Sequence, residues 1–513
     1  MGYLIGLDVG TTGTKTVLVD EGGKILATAT VEHPSYFPKP GYSEQVPEDW
    51  WNSTVESVRQ VLEKANIKGT DVQGIGLSGQ MHGSVFLDKD NKVLRPAILW
   101  NDQRTSQECA EITEKIGASR LIDLVCNPAL TGFTAPKILW FRKHEPQLYE
   151  KTRKILLPKD YIRFRLTGVY ATEVSDASGT LLLDVKNRTW SKTVLSELEI
   201  DYGLMPECYE SNVVSGTVSK EVAAILGIRP RTPVVGGGGD QAAGAVGNGI
   251  VRTGAISATL GTSGVVFAFS DTVQTDPQGR AHTFCHAVPG KWHVMGVMLS
   301  AGGSFRWLRD TIGDKERELA QAKGVAPYEI ITQEAAQARP GTEGLIFLPY
   351  LTGERTPHCD PNARGGWIGI TARTTKADLM RSCLEGISYG MRDSIEIIRA
   401  MGIPVTQIRV SGGGGRSAVW RQILADVFDH DVVTTNAAEG PAFGVALLAG
   451  VGTGVWKTVE EACDATIQVV SETRVQKAHA AVYNRYYPLY QKLYRSLKDD
   501  FATMAALLRE TSA

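Results

Sequence analysis

Short runs of β-branched and apolar residues, several of them closed by a glycine-rich turn, alternate along the chain with stretches whose apolar positions fall three and four apart. The runs at 4–7, 16–19, 72–77, 97–100, 233–235, 256–260, 265–268, 407–410 and 431–435 predict strands. Amphipathic spacing predicts helices over 48–64, 105–116, 135–142, 376–399, 417–428 and, longest, 475–508. That alternation belongs to the α/β class. Tyr483, Tyr487, Tyr490 and Tyr494 share one face of the last helix, as expected of a stripe that packs the helix onto the body.

One internal repeat changes the picture. IGLDVGTTGTKTVLVD at 5–20 and ISATLGTSGVVFAFS at 256–270 share strand, Gly-Thr-Thr/Ser-Gly turn and strand, with Gly10 aligned to Gly261 at an offset of 251 residues. The 513-residue chain therefore reads as two similar lobes, 1–250 and 251–513, divided near the turn-rich GNGIVRTG at 247–254. Each hairpin offers backbone N–H groups and hydroxyls that can cradle anionic oxygens. Neither is a P-loop, which needs glycine before its lysine; Thr14 precedes Lys15, and the segment runs on into a strand.

Composition removes several classes. Lys plus Arg number 54 against 56 for Asp plus Glu, a net charge of −2, so non-specific nucleic-acid binding has no support. The start carries Asp8 inside its apolar run and no basic segment, unlike a signal peptide. No stretch is a continuous apolar span, so no membrane association is expected. Seven cysteines form no CxxC pair and fit reduced thiols used in core packing, hence a cytoplasmic protein. Glycine, 54 residues in 513, exceeds the usual ~7% and is clustered, as where backbone lies close to a ligand.

Four clusters could carry chemistry. VSGGGGRSAVWRQILADVF at 410–428 follows a strand and opens a helix, with Gly413, Gly415 and Ala418 in GxGxxA spacing. The next strand ends at Asn436, where a dinucleotide fold would place an acidic residue, so a nucleotide approaching the glycines is favoured over an oxidoreductase. In VVGGGGDQAAGAVG, at 234–247, an apolar strand and four glycines deliver Asp240, either a helix N-cap or a catalytic base. Asp8 ends the first strand beside a phosphate turn, where a carboxylate can hold Mg²⁺. SGQMHG at 78–83 and WNDQR at 100–104 place compact polar groups beside Trp100, as polyol recognition would require. His82 has no second His or Cys at ligand spacing, which argues against zinc.

With these motifs assembled, and with GFTAPKILWFRKHE at 132–145 and PYLTGERTPHCDPNARG at 349–365, the whole chain resembles the FGGY carbohydrate kinases. Glycerol kinases in that family carry Arg-Glu where this chain has Met81-His82; Met-His-Gly resembles the xylulokinase branch, implying D-xylulose as the sugar and its 5-phosphate as product. The resemblance implies two ribonuclease-H-like or actin-like lobes with a nucleotide and sugar cleft between them. It implies ATP and Mg²⁺, with Asp240 as general base and Asp8 near the metal. Thr11, Thr12, Gly261 and Thr262 become phosphate-hairpin residues, and Gly413 lies near the adenosine. Met81 and His82 become sugar contacts, with Trp100, Asp102 and Gln241 as further ones. A kinase for another ketose or polyol such as ribulose, or a sugar sensor of the same fold that transfers nothing, are the alternatives. The composition is compatible with a homodimer. The 349–365 segment receives no role.

Overall fold

The computed structural model describes residues 2–437 and 439–511. They form two compact units. The first holds residues up to 252, 269–293 and 437–468; the second holds 253–268, 294–436 and those from 469 on. Two later stretches, 269–293 and 437–468, thus pack with the first unit although they lie in the second half of the chain.

In the first unit, strands β1 (Tyr3–Val9), β2 (Gly13–Asp20), β3 (Ile25–Glu32), β4 (Val72–Gly79), β5 (Val214–Thr217) and β6 (Pro233–Val235) line up in the order β5-β6-β4-β1-β2-β3, with Gly238–Gly239 pairing to the end of β4. β1 and β4 are parallel, and Leu4, Ile5, Leu7 and Val9 are all buried, because helices cover both faces of the sheet. On one face, helix Gly440–Gly452 lies directly on the strand backbones. Its approach depends on register partners Gly6 and Gly76: a Cβ on Gly6 would sit 1.8 Å from Ala442 O, and one on Gly76 1.9 Å from Val445 O. On the other face helix Pro47–Ala65 meets β2 and β3. There Ser53 and Ser57, one helical turn apart, pair with the buried hydroxyls of Thr14 (2.9 Å) and Thr16 (2.7 Å).

The second unit repeats the plan. β7 (Gly254–Leu260), β8 (Gly264–Ser270), β9 (Val405–Gly412), β10 (Val432–Thr435) and β11 (Val469–Thr473) run β8-β7-β9-β10-β11. The pairings are antiparallel, parallel, parallel and antiparallel, the same series as β2-β1-β4-β6-β5. β7 starts 251 residues after β1, so the sequence repeat is a topological repeat.

The run at 97–100 yields only the short strand Ala97–Ile98, paired with Glu44–Gln45 apart from the main sheet, since Pro96 removes a donor just before it. The tyrosine stripe lies on helix Lys477–Thr511 and is buried, each hydroxyl bonded: Tyr483 to Glu385, Tyr487 to Asp393, Tyr490 to Tyr350 and Tyr494 to Asp360. Cys126, Cys285, Cys383 and Cys463 are buried, whereas Cys359 is exposed and is no core residue. No helix among the described residues is long and apolar enough to cross a membrane.

Candidate active site

The site begins with strand register. Ser78, near the end of β4, lies opposite Asp8 of β1 on one side and Gly238 on the other; one residue on, Gly79 lies opposite Val9 and Gly239. All three segments are parallel, so three chains leave the sheet together at its carboxyl edge: the turn after Asp8, the Gln80-Met81-His82 loop, and the helix that starts at Asp240. In open α/β sheets that edge is where ligands bind.

The two carboxylates there influence each other. Burial, and after it the neighbouring charge of Asp8, push Asp240 up to about 7 against the lowering influence of Gln241, whose Nε2 donates to Asp240 Oδ2 at 3.3 Å. Burial likewise pushes Asp8 up to about 6, against the lowering influence of Ser78 and Lys15. Asp8 Oδ1 is buried with no hydrogen-bond partner among the described residues. Asp240 is the first residue of its helix; Gly239 occupies the cap position, and no side-chain cap bond forms. The N-cap reading therefore fails.

Met81 and His82 are fitted against glycines. A Cβ on Gly239 would lie 3.0 Å from Met81 Sδ, and one on Gly179 2.5 Å from His82 Nδ1. His82 adopts φ 69°, a left-handed conformation unfavourable for a non-glycine residue, and its surroundings hold it there. Its carbonyl accepts from Lys137 Nζ (2.9 Å) and Thr134 Oγ1 (3.0 Å), Nδ1 lies 2.6 Å from Gly179 O, and the ring packs 4.9 Å from Phe133. Lys137 is wholly buried, and burial pulls its ammonium down to about 7.

The first hairpin is braced by a chain of hydrogen bonds. Trp100 Nε1 donates to Thr11 Oγ1 (3.0 Å), which donates to Gln80 Oε1 (3.2 Å). Gln80 Nε2 donates to Gln45 Oε1 (2.7 Å), and Gln45 Nε2 donates to Thr11 O (2.7 Å). The hydroxyl of Thr11 is thus spent inside the protein. The amides of Thr11 and Thr12, with no backbone partner among the described residues, are the groups the turn presents.

Within the second unit, Gly261, Thr262 and Gly413 line one cavity of about 720 Å³, together with Arg306, Tyr328 and Trp420. Gly261 O and Thr262 O are tied to the amides of Gly302 and Gly303 (both 2.9 Å), turning the carbonyls of the second hairpin inward. Gly412 has φ 79°, and its Cβ would meet Leu260 O at 2.5 Å, but a Cβ on Gly413 meets nothing nearer than 4.0 Å. Gly413 faces open space.

Two family models match the chain: the N-terminal domain of the FGGY family of carbohydrate kinases over residues 3–247 and the C-terminal domain over 256–453. This chain belongs to the FGGY family of carbohydrate kinases. It is 39% identical over 499 residues to the xylulose kinase of Bacillus subtilis (strain 168), covering 97% of this chain and 98% of that one. A crystal structure of ligand bound xylulose kinase from Lactobacillus acidophilus superposes with a TM-score of 0.92 at 27% identity, over 98% of this chain and all of that one. A gluconate kinase from the same organism gives the same TM-score, 0.92, and identity, 27%, over 98% of this chain and 99% of that one, so fold likeness does not choose the sugar.

For a carbohydrate kinase, one expected sugar contact has an unexpected setting. Asp102 is fully buried, and its oxygens are taken by Arg104 (2.7 Å to Nη2) and by the Ser43 amide (2.6 Å). Arg104 in turn stacks 3.7 Å over the Tyr42 ring. Lys137, Thr134 and Gly179 were not singled out from the sequence, although the first two lie in the GFTAPKILWFRKHE motif.

Proposed function

We propose that this carbohydrate kinase phosphorylates D-xylulose at its terminal hydroxyl with ATP, giving D-xylulose 5-phosphate and ADP. The observation that carries the reaction class is the pair Asp8 and Asp240, both half-buried and raised toward neutrality at one strand-end edge. Support for the sugar comes from Met81-His82 and from the 39% identity to a xylulose kinase.

In this reading Asp240 orients the sugar hydroxyl and takes its proton as the oxygen bonds to the γ-phosphorus and the bridge to ADP breaks. Raising the carboxyl to about 7 makes it a better base than an ordinary aspartate. Asp8, whose Oδ1 has no hydrogen-bond partner among the described residues, would hold a divalent cation; bound there, Mg²⁺ would supply charge neutralisation for the phosphates. In the first unit the amides of Thr11 and Thr12 suit phosphate oxygens; in the second, the cavity lined by Gly261, Thr262 and Gly413 suits the nucleotide. Met81, His82, the Trp100 ring and Gln241 contact the sugar. Asp102 serves through Arg104, since its own oxygens are occupied.

A coupled assay of ADP release tests the proposal, with Mg-ATP and a panel of D-xylulose, D- and L-ribulose, glycerol, xylitol, gluconate and no sugar. Turnover selective for D-xylulose is expected. Selectivity for another member would move the assignment to another kinase of the family, and release indifferent to every sugar would favour a sensor or simple ATPase.

The hairpin brace makes a second prediction. Thr11→Val leaves Trp100 Nε1 and a Gln80 oxygen without their partner, a loss of about 1–2 kcal/mol. kcat/KM for ATP should fall about 5- to 30-fold, while Thr11→Ser stays near wild type. Equal activity of Thr11→Val and wild type would show that the brace is dispensable.

A further inference from the structure

Beneath the glycine loop that leads to Asp240 lies a cluster of five fully buried ionisable side chains. Lys159, Asp160 and Arg163 come from helix Pro158–Thr167, and Glu173 and Asp176 from the turn into helix Val174–Ser178. Lys159 Nζ lies 2.7 Å from Asp160, 3.2 Å from Asp176 and 3.6 Å from Glu173. Buried ion pairs add little net stability compared with apolar packing of the same volume, so stability alone does not account for the cluster.

Its contacts lead to the catalytic loop. Arg163 donates from Nη1 to Val235 O (2.6 Å) and from Nη2 to Gly236 O (2.5 Å). At the other end of the loop, the Gly239 amide donates to Ser175 Oγ (3.1 Å), and that hydroxyl donates to Glu173 Oε1 (2.9 Å). Glu173 also accepts from the amides of Ser175 (2.7 Å) and Asp176 (2.8 Å) and from Ser211 Oγ (2.9 Å). The loop itself consists of glycines; a Cβ on Gly237 would lie 1.9 Å from Leu77 O. With no side chains of its own, its path is fixed through its backbone: Gly236 and Gly237 donate to Val213 O (2.8 Å) and Ser211 O (2.7 Å), Gly238 and Gly239 pair with the end of β4, and Arg163 and Ser175 hold the two ends.

We propose that this buried cluster is the positioning element for Asp240: Arg163 and Ser175 clamp residues 235–239 so that the carboxylate arrives in register with the sugar hydroxyl. The inference rests on Asp240 being the base. Ser175 is a positioning residue, touching the loop and not the substrate.

Ser175→Ala removes the acceptor of the Gly239 amide and leaves all five ionisable side chains in place. The expected result is a kcat lower by about 10- to 100-fold, since misplacing a reacting group by about 1 Å can cost 10²-fold. KM for sugar and for ATP should change by less than about threefold, with the melting temperature near wild type. Arg163→Lys, which loses the fork to two carbonyls, should show the same split. In a double variant with Asp240→Asn, Ser175→Ala should cause no further loss, because residues acting as one unit are not additive. Wild-type kcat in Ser175→Ala, losses that multiply in the double variant, or a fall in melting temperature accompanied by raised KM values would each overturn the inference. An active Asp240→Asn enzyme would instead overturn the reading of the base on which it rests.

Discussion

Asp240→Asn is expected to lower kcat by about 10²- to 10⁴-fold, the range general-base groups contribute, with KM for ATP and sugar little changed. Asparagine keeps the shape and the hydrogen bond from Gln241 but cannot accept the proton. The pH profile supplies an independent signature. Asp240 in the free enzyme is raised to about 7, so kcat/KM for the sugar should fall as pH drops through that value, and a cation beside Asp8 would shift the limb to lower pH. Stability should move the opposite way. A carboxyl raised above its unfolded value near 3.9 holds a proton in the folded state that the unfolded state has released, so stability falls as pH rises from about 4 to about 7. Above pH 7 the folded enzyme buries a charged Asp240 beside Asp8, and Asp240→Asn removes that repulsion. The variant should therefore melt at least as high as wild type at pH 8, which a calorimetric scan would show; a markedly lower melting temperature there would contradict the burial argument.

The other large effect lies far along the chain, at Gly444. Helix Asp240–Gly247 packs on helix Gly440–Gly452 through glycines on both sides: a Cβ on Gly444 would lie 1.9 Å from Ala243 O, and one on Gly247 2.2 Å from Gly440 O. Both obstacles are backbone, so no side chain can swing aside. Gly444→Ala must separate the helices, and overpacking of this kind costs about 1–3 kcal/mol. The helix that would move carries Asp240 as its first residue, so kcat should drop together with the melting temperature, by about tenfold or more for a shift of a few tenths of an ångström to 1 Å. An alanine variant with wild-type stability and kcat would show that the helices tolerate separation.

Much of the fold was legible in the chain because its signals are local. The paired Gly-Thr hairpins, the strand-to-glycine runs and the tyrosine spacing each need only neighbouring residues to be read, and all but the run at 97–100 became the expected elements. The candidate residues of the second half, Gly261, Thr262 and Gly413, line one cavity, and Asp8, Asp240, Met81 and His82 leave one sheet edge. What stayed hidden depends on partners far apart in sequence. Asp102 reads as a free polar group beside an aromatic wall, until the Ser43 amide, 59 residues earlier, is seen to take its oxygen. Thr11 and Trp100 read as separate phosphate and sugar contacts, yet the Trp100 indole N–H donates to the Thr11 hydroxyl across 89 residues. Lys159 and Glu173 look like ordinary surface charges in sequence, because nothing local reveals that both are buried under the loop at 235–239. Packing of helix Gly440–Gly452 with the first unit was hidden for the same reason: the glycines that permit it, Gly6, Gly76 and Gly444, have meaning only as a set.

The most direct test of the central claim follows D-xylulose and Mg-ATP by phosphorus NMR, with wild-type and Asp240→Asn enzyme in parallel. The account predicts equimolar ADP and D-xylulose 5-phosphate from the wild type and, at the same enzyme concentration, about 10²- to 10⁴-fold slower formation of both from the variant. ADP accumulating with inorganic phosphate and no sugar ester, or a variant that forms the ester at the wild-type rate, would contradict it.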